Sequence, residues 1–214
     1  MERKERKAES LYAHFRMQLP RFFLSATHSI AIHQGAGSNL AQNISDIMTA
    51  YDRYAHNIHA FGLLVNADEE IPALVARRYA DKLRPFFPQI SSIPGHIVSG
   101  KPRAGIYVLP DNVRPGTLDT LLTSCAEVAY PHHKAGALNY LQFLDGKVNI
   151  SHLTLASERD KAVVACIVSV IHPGIANTLS LERDNWICDE TVSAISEVAQ
   201  LLRFLQELLQ IEAT

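Results

Sequence analysis

Hard oxygen donors gather at two points of the chain, Asn66-Ala67-Asp68-Glu69-Glu70 and Asp111-Asn112. Carboxylates of this kind hold Mg²⁺ or Mn²⁺ by one or two direct contacts, with water and phosphate completing the shell. Asp68, Glu69, Glu70 and Asp111 are therefore candidate ligands of a Mg²⁺ site, with Asn66 and Asn112 as neutral donors beside them. The plainer use of the first cluster is to cap the helix that follows and favour its positive end. A third candidate is the turn Gly35-Ala36-Gly37-Ser38. Free backbone N–H groups in such a turn can hold a phosphate, which marks Gly35, Gly37 and Ser38 for nucleotide binding. The full dinucleotide fingerprint would need glycine at position 40, where Leu40 stands, so an ordinary turn is the alternative.

Other chemistries find less support. His132 and His133 are adjacent, and adjacent residues do not share a helix face, so they read as an exposed helix start. The remaining histidines show no ligand spacing, and no Gly-x-Ser-x-Gly elbow is present. Cys125, Cys166 and Cys188 are far apart and form no Cys-x-x-Cys pair, which argues against a disulfide framework or a zinc site. Cys125 and Cys166 fall in apolar helical stretches and read as buried, reduced thiols, in keeping with a cytoplasmic setting.

Net charge is -2 over 214 residues, which excludes a generally basic nucleic-acid binder. The one dense basic patch, Arg3, Lys4, Arg6 and Lys7, reads as a solvated chain end. The most apolar stretch, 162–171, is too short to span a bilayer, so no membrane role is expected.

Positioning these groups requires an alternation of strands and helices. Residues 4–18 read as an amphipathic helix ending at Pro20, and His28–His33 as a strand. A helix follows the glycine turn, with Leu40, Ile44, Ile47, Met48 and Tyr51 on one face. Ala60–Val65 is a continuous apolar run suited to a strand covered on both faces. Pro72 opens a helix reaching about Arg84, and His96–Val98 adds a short strand. Gly105–Leu109 is the next clear strand, and Pro115 and Gly116 open the helix after it. The order predicts an α/β fold with a small, mostly parallel sheet, whose ligands gather beyond the carboxyl ends of the strands. From His132 onward the chain reads as helical, over 132–144, 158–171 and 189–209. Ile195, Val198, Leu202, Leu205 and Leu209 form a short apolar seam, which would pack on its own domain or form a homodimer.

Pro110, Asp111, Asn112, Gly116, Leu118 and Asp119 resemble a motif of an uncharacterised bacterial family related to Toprim domains. Toprim is the half-Rossmann metal-binding fold of topoisomerases, primases and related nucleases. The resemblance covers about residues 5–125, with a looser echo in Lys161-Ala162 and Pro173-Gly174. It implies a three-layer core over 1–130 and a helical extension over 131–214. It also implies a Glu-Gly pair after a first strand, acting in proton transfer, and an Asp-x-Asp holding Mg²⁺. Here Glu5 takes the glutamate's place, Arg6 replaces the glycine, and Asn66-Ala67-Asp68 stands where Asp-x-Asp would be. Asparagine cannot supply the missing charge, and arginine hinders the close backbone approach that glycine permits. Only Met1–Lys4 precede Glu5, so the first strand is expected either upstream of Met1 or lost, leaving a sheet edge for another chain to cover.

Three functions follow as expectations. The first is a degenerate Toprim-like domain that binds or regulates a partner. The second is a Mg²⁺-dependent nuclease or nucleotidyl-transfer enzyme acting on nucleic acid. The third is a small-nucleotide-binding protein using the Gly35–Ser38 turn.

Overall fold

The computed structural model describes residues 21–35, 39–40, 42–45, 57–148 and 153–211. The chain divides into two compact units, Met1–Asp52 and Arg53–Thr214.

In the first unit, β1 (Arg21–Leu24) and β2 (Ser29–Ile32) pair antiparallel as a two-stranded sheet. The turn between them is held by Ser25 N donating to His28 O at 2.8 Å and His28 N donating to Ser25 Oγ at 2.9 Å. The strand expected near 28–33 therefore exists, but it does not join a parallel sheet. Its alternating pattern is the signature of antiparallel pairing, and β1, a few residues away, closes the hairpin at little entropic cost. Residues 40 and 42–45 are helical. The helix expected over 4–18 lies outside the described residues, as do Ile47, Met48 and Tyr51.

The second unit is mixed α/β. Its sheet has the order β3-β5-β4, with β3 (Ala60–Asn66), β4 (Ile97–Val98) and β5 (Arg103–Leu109). β3 and β5 run parallel in the register Gly62↔Gly105 and Asn66↔Leu109, while β4 is antiparallel to β5. Among the described residues, parallel pairing is thus confined to one pair of strands. Coverage on both faces holds for β5, which is buried from Ala104 to Leu109. β3 lies at the edge, with Leu63 and Val65 buried but Gly62 and Leu64 exposed.

Two helices close this sheet. α1 (Pro72–Leu83) starts at its proline and buries Val75, Ala76, Ala80 and Leu83. It packs against β5. α7 (Ser196–Leu209) lays Val198, Leu201, Phe204 and Leu208 against Tyr107 and Leu109 of β5. The apolar seam of the last helix therefore packs on its own unit: Val198 is buried as expected, Leu201, Phe204 and Leu208 complete the buried face, and Ile195, Leu202 and Leu205 flank it partly buried. The single helix expected over 189–209 is instead broken at Ile195, with φ -107 and ψ 106. α6 (Asp189–Ala194) precedes the break, and Ile195 packs against the core that α7 forms.

The remaining helices build a second core. α2 (Leu118–Ala129) is capped by Thr117, whose side chain and that of Thr120 exchange bonds with each other's backbone. α3 (Pro131–Leu144) and α4 (Ala156–Ile171) pack on α2 around Leu122, Ala126, Leu141, Val164 and Ile167. Trp186, fully buried, completes that core, and its Nε1–H donates to Ser180 Oγ at 2.9 Å. Ser180 sits on α5 (Asn177–Arg183), a short helix the sequence pattern did not indicate. Both the strands β3–β5 and the helices after residue 130 belong to this second unit. Among the described residues, no helix is long and apolar enough to cross a membrane.

Candidate functional site

The carboxyl ends of β3 and β5 lie side by side, so the two donor clusters emerge at one end of the sheet. The chain then ties them together. Ala67 N donates to Leu109 O at 3.2 Å. Asp68 and Gly116 exchange two backbone bonds, at 2.8 and 2.7 Å. Asn66 Oδ1 accepts the Leu118 N–H at 3.1 Å, which satisfies one of the free amides at the start of α2. Gly116 has φ 143, and a Cβ there would meet Thr120 Oγ1 at 3.0 Å, so only glycine fits the crossing.

Asp111 is 7% exposed and its carboxylate accepts three hydrogen bonds from its own loop. Its Oδ1 accepts N–H bonds from Val113 at 2.9 Å and Arg114 at 2.8 Å. Its Oδ2 accepts from Arg114 Nε at 2.6 Å. Burial alone would raise the carboxyl's pKa, but the Arg114 N–H and guanidinium and the Val113 N–H outweigh it and hold the pKa below the usual range. Arg114 also donates from Nη2 to Glu197 Oε1 at 2.5 Å, joining the β5 loop to the first turn of α7. Below them, burial and the charges of Asp111 and Glu197 push the Tyr107 phenol up to about 12. Neighbouring Asn112 holds a left-handed backbone, φ 67, and its Oδ1 accepts the Val108 N–H at 2.8 Å.

The first cluster is used similarly. Glu69 Oε1 accepts from Ser157 Oγ at 2.7 Å, linking the loop to the start of α4. Glu70 takes two bonds from Arg78 Nη1, at 2.8 and 2.7 Å. Asp68 is exposed and has φ 52. Lys161 on α4 lies within electrostatic reach of both Asp68 and Asp119. Burial raises the Asp119 pKa, Lys161 opposes this, and Asp160 and Glu158 reinforce it.

Of the sequence-derived candidates, Asn66, Asp68, Glu69, Glu70, Asp111 and Asn112 thus share one end of the sheet. Gly35 lies in the first unit, and its carbonyl accepts from Asn43 Nδ2 at 3.3 Å. Glu5, Gly37 and Ser38 lie outside the described residues. Arg114, Glu197, Asp119 and Lys161 were not among the expected site residues. Asp119 and Lys161 at least fell in the Toprim-like motif and its echo, whereas the Arg114–Glu197 contact joins residues 83 positions apart and leaves no local pattern.

A Mg²⁺ ion needs free carboxylate lone pairs converging on one point. Three of the four lone pairs of the Asp111 carboxylate accept from two backbone amides and a guanidinium, so this buried side chain is a poor ligand for a metal. Among the described residues, no three of histidine, cysteine, aspartate and glutamate converge as a metal-holding group.

No curated protein and no solved structure matches the chain. A family model described as "Protein of unknown function (DUF3226)" matches residues 8–210, and with nearly the whole chain covered, the protein belongs to that family.

Proposed function

We propose that the second unit is a degenerate Toprim-like domain whose acidic strand ends serve binding or regulation rather than metal-dependent catalysis. The observation that carries this reading is the engagement of the buried Asp111 carboxylate by Val113 and Arg114, which occupies three of its four lone pairs. The guanidinium on Oδ2 also holds Glu197, so displacing it to seat a metal would break a second contact. Asn66, Glu69 and Glu70, though exposed, are likewise engaged, by Leu118, Ser157 and Arg78. Side chains that would ligate an ion here cap helices and lock loops instead.

A second reading, a Mg²⁺-dependent phosphodiester enzyme, draws support from one observation: Lys161, whose Nζ donates to Glu158 Oε1 at 2.6 Å, also feels the charges of Asp119 and Asp68. Two carboxylates and a lysine beside the strand ends have the donor types that a metal and a phosphate would need.

Calorimetric titration of the full chain with Mn²⁺ separates the two. The first reading predicts no saturable heat at millimolar Mn²⁺. Saturable binding that Asp68→Asn removes would overturn it in favour of the second. Asparagine is the right replacement, because Asp68 sits in the left-handed region, which asparagine tolerates and alanine does not.

A further inference from the structure

β3 presents an open edge. His59 O accepts the Arg103 N–H at 2.9 Å and Ala67 N donates to Leu109 O at 3.2 Å, which places the odd-numbered residues of this strand in the ladder with β5. In a parallel ladder the intervening residues turn their backbone groups the other way. Ala60, Gly62, Leu64 and Asn66 therefore aim N–H and C=O away from β5. Gly62, Leu64 and Asn66 are exposed, so this edge faces solvent. Among the described residues, no strand pairs with it.

Edge strands are normally guarded by charge, proline, a bulge or shortness. β3 is seven residues long, and its sequence AFGLLVN contains neither charge nor proline. The ends, by contrast, differ in sign. His59 precedes the strand, beside Arg103, the first residue of β5, with Lys101 two residues before it in sequence, while Asp68, Glu69 and Glu70 follow β3.

We infer that β3 is a dimerisation edge whose occupant is β3 of a second copy of this chain, running antiparallel about a twofold axis at Leu64. Antiparallel pairing sets the outward residues against one another as hydrogen-bonded pairs: Leu64 opposite its own copy, and Gly62 opposite Asn66. The same arrangement brings the His59 end of each strand against the acidic end of the other, so the charges at the two ends match. A parallel arrangement would set like ends together. The absence of charge within the strand leaves no like-charge clash in this register. The product is one continuous sheet of order β4-β5-β3-β3-β5-β4 across two protomers.

Leu64 is 42% exposed, so a long charged side chain can replace it and still reach water. Leu64→Lys places two ammonium groups opposite each other at the axis, and Leu64→Glu two carboxylates. Light scattering coupled to size exclusion should show the unmodified chain at the mass of two chains at tens of micromolar. Each variant alone should run as one chain, and an equimolar mixture of the two should return to the mass of two. In the unmodified protein, hydrogen exchange should protect the amides of Gly62, Leu64 and Asn66, and dilution to nanomolar should release them. A single-chain mass for the unmodified protein would overturn the proposal. So would charged variants that stay dimeric, or fast exchange of those three amides at high concentration.

Discussion

Gly62 and Gly105 are cross-strand partners on β3 and β5, and together they form a notch that receives α7. A Cβ on Gly62 would lie 2.5 Å from Leu208 Cδ2. One on Gly105 would lie 2.9 Å from Phe204 Cε2 and 3.0 Å from Ile97 Cγ1. Two adjacent strands thus lose their side chains at one level so that a helix can come close.

The two glycines should not be equally sensitive. At Gly62 the obstacle is a terminal methyl that can rotate away, whereas at Gly105 an aromatic ring and a β-branched residue press from two sides. Gly105→Ala should cost about 1–3 kcal/mol of stability through overpacking. Gly62→Ala should cost less, and Leu208→Ala should be less damaging in the Gly62→Ala background than alone. Urea denaturation of the four variants checks the order.

Asn112 combines two demands, a positive φ and an acceptor for the Val108 N–H. β4 spans only Ile97–Val98, so it does not reach Val108, and the asparagine oxygen replaces the missing strand. Asn112→Asp keeps both properties and should be nearly neutral. Asn112→Gly keeps only the backbone freedom and should lose about 1 kcal/mol. Asn112→Ala loses both and should cost about 1–3 kcal/mol more than Asn112→Gly. Thermal unfolding should rank them in that order, and equal effects of glycine and alanine would remove the backbone argument.

The Asp111 carboxyl is held below its unfolded value of about 3.9. Its contribution to stability is therefore complete above the unfolded pKa and is lost as pH falls through the lower folded one. Arg114→Ala moves the folded value back toward the unfolded one. The variant should be less stable than the parent at pH 7, and the gap should narrow as pH is lowered below the unfolded value. A gap that is constant with pH would mean that Arg114 acts by packing alone.

Burial, followed by the nearby Cys188 thiol, pushes Cys125 up to about 11. At pH 8 roughly one part in a thousand is then thiolate, the reactive form. Cys166 and Cys188 are only partly buried. A thiol reagent at pH 8 should modify two of the three cysteines in the folded protein, and the third only in denaturant. Equal rates at all three would contradict the placement of Cys125 on the buried face of α2, in the core it shares with α7.

Much of this architecture was legible in the chain alone. Pro72 marks the start of α1, the apolar runs at Ala60 and Gly105 mark β3 and β5, and the donor clusters follow both strands. Less legible were the strand at Arg21–Leu24, the helix at Asn177–Arg183 and the break at Ile195. The first two are short, and short elements carry little periodic signal. At Ile195 the apolar spacing runs on unbroken into α7, so the pattern hides the turn that aims α7 at the sheet.

Apart from α5 and the break at Ile195, local pattern set the strands and helices of the second unit, because period, proline and capping residues act over a few neighbours. It also determined that acidic residues stand beyond two strand ends. What those residues do is set by long-range packing. Arg114 reaches Asp111 and Glu197 at once, Ser157 reaches Glu69, and Leu118 reaches Asn66. Three of these contacts link residues 52 to 88 positions apart. Their formation depends on how α2, α4 and α7 pack on the sheet, which no local pattern encodes.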